Sequence, residues 1–284
     1  MDLLVAVLGS SAILGGVGLG FAALIAVVTR RFRVFEDPRV DAVTGMLPGS
    51  NCGACGSAGC RAFAESLVAG SKKPASCTVM SPDGITAVAE YLGTDAGEAE
   101  KRVARLLCAG GCDVAPQEAA YIGLGTCRAA AAVAGGGKSC PWGCLGLGDC
   151  EVACDFDAII MSATALPVVT LEKCTACGDC VTACPKDLFT IMPIEQQLIV
   201  QCRNPLEGDR AVAMCRVACN ACGKCALDAS PGVIRMVNGL PVVDYNLNVL
   251  ADPAATARCP TGAIAWVEGP QFAPQVLTRE EALV

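Results

Sequence analysis

CPWGCLGLGDCEVAC at residues 140–154 and CTACGDCVTACP at residues 174–185 are the two stretches around which the rest of the sequence is organised. The second has the spacing C-x2-C-x2-C-x3-C-P, in which three thiolates hold one cubane iron–sulfur cluster and the fourth reaches a neighbouring cluster. C-x2-C pairs are also typical of zinc sites, but a zinc ion takes four ligands and two overlapping sets do not suit it. The sequence therefore predicts two [4Fe-4S] clusters with crossed ligands.

Crossed ligation divides the cysteines of these stretches into two predicted sets. Set 3 takes one cysteine from the first stretch and three from the second: Cys154, Cys174, Cys177 and Cys180. Set 2 takes the others: Cys140, Cys144, Cys150 and Cys184. Soft thiolate ligands are what iron–sulfur clusters require, so each set predicts one cluster.

The overall composition excludes several other classes of protein. The chain has 21 cysteines in 284 residues and no histidine, which removes haem histidine ligands, Rieske centres and histidine acid–base catalysis. The odd cysteine count does not fit a secreted disulfide scaffold. A net charge of −7 and an aromatic content of 4% do not fit a nucleic-acid interface. No flavin or nicotinamide fingerprint is present, so we expect no flavin, haem or nicotinamide on this chain.

The N-terminal segment has the composition of a membrane span. Leu3–Val28 is an uncharged run long enough to cross a hydrocarbon core as a helix. Gly16 and Gly20 form a small-xxx-small pair that permits close packing of another membrane helix, or is simply tolerated in lipid. The positive-inside rule predicts a single-pass protein of the cytoplasmic membrane, with its N-terminus outside and its cluster domains in the cytoplasm. The charges behind this prediction are Arg30, Arg31 and Arg33.

Another group of cysteines lies between this span and the two central stretches. Set 1 consists of Cys52, Cys55, Cys60 and Cys77. Glycines among them let the backbone approach a cluster, although zinc is an alternative because this set overlaps no other. Hydrophobic periodicity predicts a short helix over Arg61–Val68 and a further helix over Ile85–Leu107.

An internal repeat identifies the fourth set. A shift of 75 residues aligns Cys127, Cys140, Cys144 and Cys150 with Cys202, Cys215, Cys219 and Cys225. In the second copy, all four positions of set 3 are lost together, to Ala229, Asn248, Ala251 and Ala254. The second copy keeps a single set, set 4: Cys219, Cys222, Cys225 and Cys259. Leu147 stands where the second copy has Cys222, which is why Cys140 is assigned to set 2.

Five cysteines stay outside the four sets. One hypothesis is a fifth cluster, held by Cys108, Cys112 and Cys127 together with Cys202 or Cys215. The alternative is that all five are buried thiols, which behave as small hydrophobic side chains. The sequence therefore predicts four [4Fe-4S] clusters and leaves a fifth open.

These observations predict an α+β fold with one N-terminal transmembrane helix, a small helical 4Fe-4S domain and tandem ferredoxin-like modules. The predicted ranges are a transmembrane anchor (1–30), a connector (31–47), a 4Fe-4S domain (48–107), a cysteine-containing linker (108–139), a two-cluster ferredoxin module (140–195), a degenerate single-cluster ferredoxin module (196–268) and a C-terminal tail (269–284). No nucleophile with a base and no carboxylate pair is recognisable, so the chain alone is predicted to carry electrons. A group of basic residues either docks an acidic partner or forms an ordinary solvated face: Lys72, Lys73, Lys101, Arg102 and Arg105.

The sequence resembles the RnfB family, whose members are subunits of the Rnf ion-translocating electron-transport complex. The resemblance covers essentially the whole chain and is carried by the apolar N-terminal segment, the PGSNCGACG run at residues 48–56 and the tandem ferredoxin motifs. It departs from the family in the second ferredoxin repeat, where longer relatives have a full pair of clusters.

The resemblance implies a subunit that takes electrons from reduced soluble ferredoxin and passes them to the membrane and NADH-binding subunits of the complex. For the whole complex, it implies an enzyme of the translocase class that links ferredoxin:NAD oxidoreduction to Na⁺ or H⁺ translocation. Two alternatives stay open: a membrane-tethered polyferredoxin of another reductase or hydrogenase, and a zinc-stapled interaction protein.

Overall fold

The computed structural model describes residues 2–31, 37–98 and 100–272. Arg33, which contributes to the predicted charge pattern, and residues 273–284 of the predicted tail lie outside the described residues.

The N-terminal helix contains the predicted membrane span. Helix α1 (Asp2–Arg31) includes the segment Leu14–Arg31, which has a mean hydropathy of 1.4 and packs against no other described part of the chain. By length and composition it can cross a membrane. A Cβ added at Gly16 or Gly20 would meet nothing, so both glycines leave the helix surface open to a neighbour.

Three helices form a small hydrophobic core after this segment: α2 (Pro38–Met46), α3 (Cys60–Val68) and α4 (Pro82–Leu92). Their centre is Phe63, which is 1% exposed and packs with the fully buried Val43 and Val88. Helix α2 lies within the range that the sequence predicted as a connector. It is helical there because its valines bury against α3.

The rest of the described chain consists of short helices and two-stranded antiparallel sheets. The strands are β1 (Arg102–Leu106), β2 (Ile159–Met161), β3 (Pro167–Val169), β4 (Phe189–Pro193), β5 (Leu198–Val200), β6 (Ile234–Val237), β7 (Leu240–Val243) and β8 (Ile264–Trp266). The helices are α5 (Cys127–Ala132), α6 (Asp149–Val152), α7 (Asp179–Ala183), α8 (Gly208–Met214), α9 (Lys224–Asp228) and α10 (Ala254–Ala257). The sheets pair β1 with β4, β2 with β3, β5 with β8, and β6 with β7.

The helix predicted over Ile85–Leu107 is wrong in its second half. Helix α4 ends at Leu92 because Gly93 takes the left-handed conformation, with φ of 63°, and its N–H bonds back to the last turn. The chain then forms β1, in register with β4 from Arg102 opposite Pro193 to Leu106 opposite Phe189. Pairing with a strand more than eighty residues away is not visible in local periodicity.

The two halves of the predicted repeat contain similar hairpins. Ile159 lies opposite Val169 in β2–β3, and Ile234 lies opposite Val243 in β6–β7. In the first half, the core includes cysteines as well as aliphatic side chains: Cys150, Cys174 and Cys180 are buried in one cluster with Leu188. The short elements therefore converge on cysteine side chains.

Candidate iron–sulfur centres

Three cavities are each bounded by the four cysteines of one predicted set. Cavity 1 has set 1 on its wall, cavity 3 has set 3 and cavity 4 has set 4. The empty volumes, which include some space open to solvent, are about 320, 310 and 310 Å³ respectively. The structure thus brings the members of sets 1, 3 and 4 together, and it gives their three cavities nearly the same size.

The backbone of the C-x2-C loops is bent toward these cavities. Ala176, between Cys174 and Cys177, has φ of 58°, and Ala221, at the same place between Cys219 and Cys222, has φ of 62°. This left-handed conformation costs an L-residue about 1–2 kcal/mol. Both loops accept that cost, and in both the flanking thiols line one cavity.

Backbone N–H groups donate to several of the thiols. Ala158 N–H lies 3.4 Å from Cys154 Sγ, and Leu188 N–H lies 3.5 Å from Cys184 Sγ. At Cys259, burial raises the pKa of the thiol, but backbone N–H groups led by Ile264 outweigh it, and the net pKa is lowered. Donors of this kind stabilise thiolate, the form that ligates iron.

Lysine side chains tie three cysteine loops in place. Lys72 Nζ donates to Cys55 O at 2.6 Å, Lys101 Nζ to Cys174 O at 2.9 Å, and Lys138 Nζ to Cys144 O at 2.6 Å. Each interaction places a positive charge beside a cysteine loop. Lys72 and Lys101 belonged to the basic group predicted either to dock a partner or to be solvated, and the structure shows them bound to cysteine loops instead.

Arg105, another member of that basic group, is only 1% exposed. Its Nη1 donates to Gly269 O at 2.8 Å, while Nε and Nη2 have no partner among the described residues. Burial lowers the pKa of the guanidinium, and a negative charge at Cys174 raises it. A buried cation with spare donors beside cavity 3 fits an anionic group held there, because such a group supplies the missing countercharge.

Set 2 is arranged differently from the prediction. Cys144, Cys150 and Cys184 belong to one packed core, but Cys140 lines a cavity elsewhere. Cys127 takes its place beside Cys150: its N–H donates to Asp149 Oδ1 at 2.8 Å. Burial raises the pKa of the Cys150 thiol to about 12, with a further contribution from the neighbouring Cys127. Sequence reasoning missed this because Cys127 lies outside any short cysteine motif.

A fourth cavity of about 320 Å³, here called the junction cavity, is lined by Cys108, Cys140, Cys202 and Cys215. The hypothesis of a fifth group from the leftover cysteines is corrected in two respects. Cys127 belongs near Cys150, and Cys112 is exposed, with its Sγ 3.8 Å from Ala163 O. Cys140 joins the group because folding places it there.

Across the described ranges, no three His, Cys, Asp or Glu side chains are close enough to hold a single metal ion. The cysteines instead stand around the walls of cavities. A zinc ion needs its sulfur ligands about 2.3 Å from one point, whereas a [4Fe-4S] cube takes one thiolate at each of four corners. The fold and these thiol sets define an iron–sulfur electron-transfer protein.

Comparison with known proteins gives the family. The model for a putative Fe-S cluster (FeS) matches residues 47–79, and the 4Fe-4S binding domain model matches residues 167–190. The chain is 44% identical to the RnfB subunit of the Na⁺-translocating ferredoxin:NAD⁺ oxidoreductase complex of Acetobacterium woodii, over 85% of this chain and 72% of the relative. It is 37% identical to the corresponding subunit of the proton-translocating ferredoxin:NAD⁺ oxidoreductase complex of Clostridium ljungdahlii, over 91% and 92%. It is 34% identical to that of the ion-translocating oxidoreductase complex of Methanosarcina acetivorans, over 90% and 97%.

The chain belongs to the RnfB family of Rnf complex subunits. The resemblance seen in the sequence is thereby confirmed.

Proposed function

We propose that this chain is the iron–sulfur electron-transfer subunit of an Rnf-type complex. It takes electrons from reduced ferredoxin and delivers them to the membrane and NADH-binding subunits, within an assembly that couples ferredoxin:NAD oxidoreduction to Na⁺ or H⁺ translocation. The observation that carries the proposal is the set of equal-sized cavities walled by four cysteines each, in a chain of this family. When bound, a [4Fe-4S] cluster supplies one-electron chemistry without making or breaking a substrate bond.

The residues that hold the clusters follow from the geometry. Sets 1, 3 and 4 keep the ligands predicted from the sequence. Set 2 takes Cys127 in place of Cys140, with Cys144, Cys150 and Cys184. With one cluster at each set, this proposal gives four [4Fe-4S] clusters. Sets 2 and 3 belong to one ferredoxin-like module and set 4 to a second, shortened one.

Direct contact joins the first cysteine set to the ferredoxin-like part. Thr78, which follows the set 1 ligand Cys77, donates from Oγ1 to the carbonyl oxygen of Thr175. Thr175 lies between two ligands of set 3, Cys174 and Cys177. Electron transfer between neighbouring sites needs short separations, so this contact supports transfer between sets 1 and 3.

The membrane arrangement belongs to the same proposal. Helix α1 anchors the chain as a single span, and Arg30 and Arg31 in its last turn face the cytoplasm. The cysteine sets then lie on the cytoplasmic side, where soluble ferredoxin is present.

The test of this proposal is the metal content of the whole chain, purified without oxygen in detergent. Four clusters predict about sixteen iron and sixteen sulfide per chain, with little zinc and a broad brown absorbance. The same sample, reduced by ferredoxin, should bleach. A colourless, zinc-containing protein would overturn the electron-transfer proposal and favour a zinc-stapled interaction protein.

Replacing Cys127 tests the revised ligand assignment at set 2. Cys127→Ala is expected to lower the iron content by about four atoms per chain, because a cube with three thiolate ligands is easily lost. Metal analysis and electron paramagnetic resonance of the reduced protein measure the change. The matched control is Cys112→Ala, since Cys112 is exposed and lines none of the four cavities. Wild-type iron in Cys127→Ala would contradict the assignment.

A further inference from the structure

The junction cavity has the dimensions of the cluster cavities but belongs to none of the four sets. Its empty volume of about 320 Å³ equals that of cavity 1. Three of its four cysteines are nearly inaccessible: Cys108, Cys140 and Cys215 are 7%, 6% and 5% exposed. Neither family match, at residues 47–79 and 167–190, reaches any of them.

Gly110 keeps the space between these sulfurs open. A Cβ at this position would lie 3.1 Å from Cys215 Sγ and 3.5 Å from Cys108 Sγ. The two thiols therefore point to the same spot, although more than a hundred residues separate them in sequence. A side chain at residue 110 would occupy the place where a ligand of both thiols has to sit.

Donors surround the cavity as they do at the other cysteine sets. Cys108 Sγ accepts N–H bonds from Gly110 and Cys144, both at 3.4 Å, and Cys202 Sγ accepts one from Cys219 at 3.3 Å. Lys138, on the cavity wall, is 9% exposed and donates from Nζ to Gly110 O at 2.5 Å. Negative charge in the cavity would be stabilised by all of these groups.

An unpaired buried amide gives a second, independent indication of a ligand. Asn204 lines the junction cavity and is 1% exposed. Its Oδ1 accepts the N–H of Leu206 at 2.9 Å, while its Nδ2 has no hydrogen-bond partner in the described residues. A buried N–H group without an acceptor costs about 1–3 kcal/mol. A sulfur-containing anion in the cavity would supply that acceptor.

The cavity also lies between the two ferredoxin-like halves. Cys144, which donates to Cys108 Sγ, is a proposed ligand of set 2, and Cys219, which donates to Cys202 Sγ, is a proposed ligand of set 4. Each half of the chain contributes cysteines to the cavity. A redox group held there has one hydrogen-bonded connection to each half.

We propose that Cys108, Cys140, Cys202 and Cys215 hold a fifth [4Fe-4S] cluster, which links the two ferredoxin-like halves. The inference rests on the proposed iron–sulfur function of the chain. An electron passes from one half to the other through this position, one at a time, with no bond formed or broken. The five sets then use every cysteine of the 21 except Cys112.

Iron analysis of the whole chain, purified anaerobically in detergent, separates this inference from the proposed function. About twenty iron per chain supports both. About sixteen leaves the four-cluster proposal standing and overturns the fifth site, whose cysteines are then buried thiols. An iron-free protein overturns both.

Pairs of substitutions test which cysteines share a site. Cys140→Ala and Cys215→Ala are each expected to lose about four iron, and the double variant should lose the same four because both act on one cluster. Combining Cys127→Ala with Cys215→Ala should instead lose about eight. Cys112→Ala is the control that should lose none. A Cys215→Ala protein with wild-type iron overturns the proposal.

A variant that keeps all ligands covers the case in which cysteine substitutions unfold the chain. Asn204→Asp has nearly the same shape, but it replaces the unpaired N–H donor by a carboxylate beside the cluster. In an anaerobic redox titration followed by electron paramagnetic resonance, one cluster signal should shift to lower potential and the others should stay in place. Unchanged potentials for all signals overturn the fifth site.

Discussion

Removing iron is expected to unfold the cysteine-containing part of this protein. The sheets of the described residues have two strands each, with no strand longer than five residues, and the cores of the ferredoxin-like halves include cysteine side chains. Two-stranded sheets are marginal by themselves, whereas metal sites contribute on the order of 10 kcal/mol to the folding of small domains. Without iron, cavities of about 310–320 Å³ would be left among buried thiols.

Chelation of iron under anaerobic conditions, followed by limited proteolysis and circular dichroism in detergent, measures this effect. We expect fast cleavage throughout residues 37–272 and loss of most helical and strand signal from them. Helix α1 is the internal control, since its backbone hydrogen bonds lie within one segment and lipid or detergent maintains it. An iron-free chain with the protease resistance of the holo-protein would contradict the expectation.

The second large effect is expected from Gly146→Ala. Gly146 lies between Cys144 and Cys150 with φ of 73°, and a Cβ there would lie 2.7 Å from both the Cβ and the carbonyl oxygen of Ala165. Neither of these atoms can move without shifting the chain between β2 and β3. The loop must therefore move away, and the variant should lose the set 2 cluster, or about four iron per chain.

Gly148→Ala is the matched control for this experiment. Gly148 has φ of 82°, in the same loop, but a Cβ there would have its nearest contacts at 3.5 Å from Glu151 and 3.6 Å from Met161. It should cost about 1–2 kcal/mol for the left-handed backbone and keep its iron. Metal analysis and thermal bleaching of the two variants make the comparison. Equal iron in both would show that the contact with Ala165 is unimportant.

Family and electron-transfer class were accessible from the sequence because cluster loops are local. In sets 1, 3 and 4, most of the cysteines lie two to four residues apart, so covalent connectivity alone keeps them near one another. The spacing therefore predicted which of them would meet, and the structure brings them together at cavities 1, 3 and 4. Their role as ligands stays a prediction until iron is measured.

Two local predictions failed where distant partners decide the outcome. The apolar spacing at residues 102–106 was taken as helical, but these residues pair with β4. The stretch 31–47 was taken as a connector, but α2 buries Val43 against α3. In both cases, burial against a distant part of the chain decided the local structure.

The sequence by itself determined that this protein binds iron through cysteine loops, that it has an apolar N-terminal segment and that it belongs to its family. Only the tertiary structure decided where the isolated cysteines go. Cys127 and Cys140 exchange the places that the repeat suggested, and Cys108 meets Cys215 across the cavity beside Gly110. The physical reason is chain entropy: over long separations, spacing carries no information about contact, and packing of the two halves alone selects which thiols share a site.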